Sequence, residues 1–186
     1  MKLKIIVTIC SAVILGALIG VSVPSNSETT EGVGLSVSAE KDFKSLKKNA
    51  DLIIHGTLDG DYDIKTQVAD AENDVYQIDR VYTAIVNNSF KDSKGNKYKN
   101  GDEIKVVYPV GFKQKENGQF KDHFLSLSDE IIPIESGEYM LFLDELNGDF
   151  YFSNINHVYK KGKDKRFNNI STESIPEITE GNIVNN

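Results

Sequence analysis

The sequence has no tryptophan and one cysteine, Cys10, which lies inside an apolar run close to the amino terminus. Removal of that run leaves a chain without a thiol. Disulfides, thiolate metal sites and cysteine nucleophiles are then excluded together, and the fold must be held by its core alone. Histidine is scarce, with His55, His123 and His157 in separate segments and no tight ligand spacing such as His-x-x-x-His. The chain has no Gly-x-Ser-x-Gly elbow, no His-Glu-x-x-His, no phosphate-binding loop and no dinucleotide fingerprint. It therefore implies no cofactor and names no catalytic residue. Basic residues are also in deficit, 21 against 28 acidic ones. A net-acidic domain is repelled by a nucleic-acid backbone. The basic runs Lys94 to Lys99 and Lys160 to Arg166 are short and read as solvated turns.

What is present begins with an address. Lys2 and Lys4 precede an apolar run from Ile5 to Val23, followed by small residues in "VPSNSE". Those are the three parts of a secretory signal peptide, with cleavage after Ser25 or, preferred, after Ser27. The competing reading is an uncleaved anchor, because a bilayer is spanned by ~20 apolar residues. Both place the remaining chain outside the cytoplasm. Lipidation of Cys10 fits poorly, since that residue sits in the first half of the run. Without Lys2 and Lys4, basic residues fall from 21 to 19 against 28 acids, a formal charge of −9.

The division expected is residues 1–27 as signal or anchor, 28–37 as flexible spacer, 38–166 as one β domain and 167–186 as a polar, poorly ordered tail. With 39% hydrophobic and 26% charged residues, a core of ordinary size is accessible. Ala39, Phe43, Leu46 and Ala50 recur at helical spacing, with Ser38 as the cap and lysines on the other face. After Ala50 the period changes to two. In "DLIIHGTL", Leu52, Ile54, Gly56 and Leu58 share one face; Ile53, His55 and Thr57 share the other. "DVYQIDRVYTAIVNNSF" is a β-branched and aromatic strand, whole or bulged. "GDEIKVVYPV" alternates in the same way. "GEYMLFLDELNGDFYF" is a hairpin around Asn147-Gly148, and a weaker hairpin signal surrounds Asn117-Gly118. A last strand falls near His157 to Lys160. Closure into a small antiparallel barrel removes exposed edges most economically. The fold class is mainly β: an OB-like barrel preceded by a short α-helix.

The order "NADLIIHGTL", "VYTAIVNNSFKD", "GDEIKVVYP", "IESGEYMLFL", "GDFYF" resembles a group of small exported Gram-positive proteins. It is also similar to the netrin-like and metalloproteinase-inhibitor modules, which are OB-type five-stranded barrels. The resemblance spans about Ala39 to Lys160 and implies a fold. It transfers no functional residue, because the inhibitors act through cysteines near a mature N-terminus and none is present here.

Four features are candidates for function. His55 has Asp59 and Asp61 nearby in sequence, but the strand turns them away, and it reads as an outward-facing or hydrogen-bonded structural histidine. Asp59, Asp61 and Asp63 alternate like the start of a calcium loop. The pattern then fails at Ile64 and Asp70, and an acidic turn with Gly60 as its bend is the simpler reading. Carboxylates such as Asp59, Asp61, Asp129 and Glu130 could serve a hydrolase, since paired acids leave no local signature. Tyr76, Tyr82, Tyr108, Tyr139, Phe142, Phe150, Tyr151 and Phe152 fall on strands, and the opposite phase of Tyr139 and Phe142 predicts an aromatic outside the core. The function expected is a non-catalytic binding or interaction module, secreted or at the cell envelope. Its partner would be an envelope or extracellular protein or polymer, with membrane contact only through residues 5–23 if these are retained. The alternative is a hydrolase of envelope polysaccharide or peptide.

Overall fold

The structure, a computed structural model, is described over residues 40–95, 98–124, 132–153, 156–171 and 174–184. The expected signal or anchor, the spacer, Ser38, Asp129 and Glu130 lie outside these. Among the described residues no helix is long and apolar enough to cross a membrane.

Helix α1 spans Phe43–Asn49 and starts later than expected, because Asp42 is its cap: the carboxylate accepts from the Ser45 amide at 2.9 Å. A helix this short is not stable alone. Leu46 and Ala50 are buried beneath it, and Phe43 packs alongside. Its far end is closed from another strand. The Lys91 ammonium donates to the carbonyls of Lys47 at 3.0 Å, Lys48 at 2.9 Å and Ala50. A cation at the negative end of a helix satisfies acceptors that otherwise have no partner.

The strands are β1 (Leu52–Asp70), β2 (Val75–Asp92), β3 (Glu103–Glu116), β4 (Gln119–Phe124), β5 (Gly137–Leu146), β6 (Asp149–Phe152), β7 (Tyr159–Lys161), β8 (Phe167–Asn169) and β9 (Glu177–Ile178); a second short helix, α2, covers Glu180–Val184. They form one mixed sheet. β1 pairs with β2, β2 with β3, β3 with β6, β6 with β5, and β5 returns to β1, so the path of pairings closes on its first strand. Only the β3–β6 pair in this cycle is parallel. Both expected hairpins are present. Asn147 and Gly148 join β5 to β6 with φ of 55° and 87°, and Asn117 and Gly118 join β3 to β4 with 51° and 82°. Two consecutive positive φ values are what the type I′ turn requires.

The two faces of the cycle bury different clusters. Leu52, Ile54, Leu58, Tyr82, Val106, Tyr139, Leu141 and Phe150 form the main core. Ile53, Met140, Phe142 and Tyr159 face the other way and are covered by Leu46, Phe167, Ile178 and Ile183. The segment after Arg166 is therefore not the loose tail its composition suggests. It supplies β8, β9 and α2, and three of its apolar residues, Phe167, Ile178 and Ile183, are buried. Both Tyr139 and Phe142 are buried as a result, so the expected exposed aromatic is not on β5.

β1 also departs from expectation. The stretch around "DGDYD" is not a turn between strands but a bulge within one: pairing with β2 jumps from Leu58↔Ala84 to Tyr62↔Tyr82 and then continues to Asp70↔Val75. Gly60 at φ +90° makes the bend. Beyond it, β1 and the matching parts of β2, β3 and β4 form a four-stranded arm projecting from the cycle.

Candidate functional site

The arm carries the face that sequence reasoning passed over. Tyr62, Ile64, Thr66 and Val68 alternate with Asp63, Lys65 and Gln67, and register puts the first set level with Tyr82, Arg80, Ile78 and Tyr76 of β2. Tyr82 and Ile78 belong to the main core. The arm thus continues the face of β1 and β2 that lines the interior, but with little to cover it. Tyr62 is 44% exposed, Ile64 61%, Val68 54% and Phe120 of β4 49%. Phe120 meets Tyr76 edge-on with ring centres 5.6 Å apart. A single exposed apolar side chain carries no message, whereas several contiguous on one face mark an interaction surface. The signal was the alternation in "YDIKTQV", masked by the three aspartates that precede or interrupt it.

Arg80 stands at the inner end of this face. Its guanidinium carbon lies 4.5 Å from the centre of the Tyr62 ring, and Tyr62 is 5.5 Å from Tyr82. Burial raises the Tyr82 phenol, an effect opposed by a hydrogen bond from Arg80. Burial likewise pushes Tyr108, the cross-strand neighbour of Arg80, up to about 12. Both phenols stay protonated and can donate. The arginine ion pairs among the described residues belong to Arg166, so Arg80 has phenols around it and no carboxylate. Lys113 and Lys115 lie further out, 3.7 Å from Asp122 and 3.5 Å from Asp74.

The opposite face of the arm is polar and internally satisfied. Asp79 is fully buried and accepts from Gln77 at 2.6 Å and Gln67 at 3.0 Å. Burial raises its pKa from the ordinary carboxylate value, against those two hydrogen bonds. Lys65 pairs with Asp149 at 2.7 Å beside it. Burial raises Asp144 in the same direction, opposed by its bond from Ser153 at 2.7 Å.

The sequence candidates fare differently. Asp59, Asp61 and Asp63 are exposed, and among the described residues no group of three acids, histidines or cysteines is arranged to hold a metal. Asp59 instead accepts the Asp61 amide at 3.1 Å. His55 is on the face opposite Leu52 and Ile54, as read, but it is buried and has company. Nε2 lies 2.6 Å from Glu138, Nδ1 lies 2.9 Å from Glu180, and Lys161 joins Glu138 at 2.6 Å. The Phe167 ring closes the site edge-on at 5.1 Å. These partners come from β5, β7, β8 and α2, so no local spacing could announce them. The group ties the carboxyl-terminal segment to the cycle. His157 is buried too and accepts the Glu40 amide at 2.8 Å. His123 is stacked on Phe112 at 4.8 Å and lies 3.1 Å from Glu116.

A mainly β protein with a closed cycle of strands and one exposed apolar arm is what these elements define. Searches of family models, curated proteins and solved structures find no match for the chain.

Proposed function

We propose that the chain is a non-catalytic binding module that works outside the cytoplasm, at the cell envelope or released from it, and grips its partner with the exposed face of the arm. The observation that carries this reading is the run of Tyr62, Ile64 and Val68, all largely exposed on a strand whose inner half builds the core. Leaving such side chains in water forgoes about 1.5–3 kcal/mol each on full burial, which a partner can recover. Export rests on the sequence of the first 27 residues, with Lys2 and Lys4 ahead of the apolar run.

The test is affinity capture by the protein in its exported form, from envelope and culture fractions of the producing cells, with and without calcium. A component retained by the natural protein and lost by Ile64→Glu supports the reading. Retention that ignores Ile64→Glu moves the site elsewhere. Turnover of envelope polysaccharide or peptide that survives Ile64→Glu and vanishes on changing one acid to its amide supports the hydrolase alternative instead.

A further inference from the structure

We infer that the partner is a protein, and that it binds by adding an extended, acid-bearing peptide segment as a new strand on the outer edge of β1 from Tyr62 to Asp70. This rests on the binding-module reading and deepens it. From Leu52 to Leu58, β1 is paired on both sides, with β2 and with β5. From Tyr62 onward it is paired with β2 alone among the described residues. Among the described residues, alternate backbone amides and carbonyls of that stretch therefore face outward with no strand beside them. An exposed edge is a template for another strand. Between the bulge that precedes Tyr62 and the register shift after Val68, the stretch contains no proline and pairs with β2 without interruption, and its lysine, Lys65, is turned to the polar face and held by Asp149.

The edge spaces its polar groups at the repeat of a polypeptide, about 3.3–3.4 Å per residue. Main-chain pairing supplies affinity in this mode, and alternate side chains supply choice. On the exposed face, those side chains would meet Tyr62, Ile64 and Val68, so apolar residues fit at alternate positions. Charge selects the remaining one. Arg80 belongs to β2, but its guanidinium lies over the Tyr62 ring, which places it above the edge strand. A guanidinium carries five N–H donors in one plane, so Arg80, stacked on Tyr62 and sharing one donor with the Tyr82 phenol, has others to offer a carboxylate. A second copy of the chain satisfies this poorly. The exposed face from Tyr62 to Val68 bears no acid to offer Arg80, and two copies of charge −7 repel.

The experiment selects displayed random peptides, of the same length as the edge segment, on the purified protein. Winners are then titrated as labelled synthetic peptides. Expected are peptides with apolar residues at alternate positions and one Asp or Glu. N-methylation of alternate backbone amides should weaken binding at least tenfold. Arg80→Ala should weaken it about tenfold, and should abolish the difference between the acidic peptide and its amide counterpart. Arg80→Lys should recover only part, since it keeps charge without the fork. Melting curves of each variant confirm folding, and Ile64→Glu, at a well-exposed position, gives an independent block.

Four results would overturn the inference. One is the enrichment of no peptide; a second is binding indifferent to N-methylation; a third is binding indifferent to Arg80. The fourth is a concentration-dependent dimer lost in Ile64→Glu, which would assign the edge to a second copy. Retention on immobilised polygalacturonate that Arg80→Ala removes, with no peptide enriched, would replace the peptide with an acidic polysaccharide. Capture of an envelope component that needs Ile64, without any selected peptide, keeps the binding face and rejects strand pairing; failure of both rejects the function as well.

Discussion

Glu180 places Oε1 2.9 Å from Nδ1 of His55, while Glu138 holds the other ring nitrogen at 2.6 Å. A neutral imidazole has one N–H and can donate to only one of them. The arrangement joins the last helix to the first strand through a single buried ring. Glu180 is nearly half exposed, so its pair contributes less than about 1 kcal/mol. The greater part of the docking comes from Ile183, which is buried within one turn of the charge on the same helix. Ile183→Ala should cost about 2 kcal/mol, and Glu180→Gln much less. Hydrogen exchange would show the order of events: amides of β8 and β9 should lose protection in Ile183→Ala before those of β1 and β5. Equal loss everywhere would mean that the carboxyl-terminal segment opens only with the whole fold.

Lys91 makes a second long-range claim. Its ammonium satisfies three carbonyls at the end of α1. Lys91→Met keeps the aliphatic stem and removes the donors. The expected loss is about 2 kcal/mol, with exchange of the α1 amides rising most. Lys91→Arg should restore part of the stability. If Lys91→Met melts like the natural protein, water replaces the cap and α1 is held by its other contacts, above all the buried Leu46 and Ala50.

These two contacts show where the sequence was legible and where it was not. Alternation located β2, β3, β5 and β6, and the paired positive-φ turns at Asn147-Gly148 and Asn117-Gly118 need no tertiary information. His55 was put on the right face for the same reason. Its partners were invisible, because Glu138, Lys161 and Glu180 reach it only after the sheet has closed. The carboxyl-terminal segment was misjudged by average polarity. Three isolated apolar residues, Phe167, Ile178 and Ile183, suffice to dock it. The arm was lost to a local ambiguity. Asp59, Gly60 and Asp61 have turn chemistry, and a bulge uses that chemistry to bend a strand without ending it.

Two buried groups give the protein opposing responses to pH. Burial lowers the His157 pKa from 6.5, the attraction of Glu40 opposing it only in part. The folded state then binds fewer protons than the unfolded one near neutrality. The stability this contributes is present above about pH 6.5 and is lost as pH falls through the folded value. Asp79 has the reverse sign. Its pKa is raised by burial from 3.8, so its contribution is present in acid and lost as pH rises through the folded value. His157→Gln keeps an acceptor for the Glu40 amide and cannot charge; its melting temperature should fall less than that of the natural protein between about pH 7.5 and about pH 5.5. Asp79→Asn should gain on the natural protein as pH rises above the acid range. Melting differences that stay constant with pH in both variants would show that neither group titrates on unfolding.

Gly60 decides whether the arm can exist in its present direction. Its φ is +90°, and a Cβ there would stand 2.7 Å from the Ser136 amide nitrogen and 3.1 Å from the Glu135 carbonyl carbon. Backbone does not move aside as a flexible side chain can. Gly148 has nearly the same φ, +87°, but nothing within 4 Å of a Cβ. The pair therefore separates conformational strain from collision. Gly148→Ala should cost about 1 kcal/mol, the left-handed penalty alone. Gly60→Ala should cost at least about 2 kcal/mol, because β1 must also move off the segment leading into β5. Its effect should reach beyond stability. Tyr62 follows the bend directly, and the stacking of Arg80 on that ring depends on where β1 leaves the cycle. Partner binding by the arm should fall in Gly60→Ala at temperatures where the protein is still folded, while Gly148→Ala binds as before. Equal costs in the two variants would mean that the strand shifts freely at residue 60, and that the arm is not aimed by its glycine.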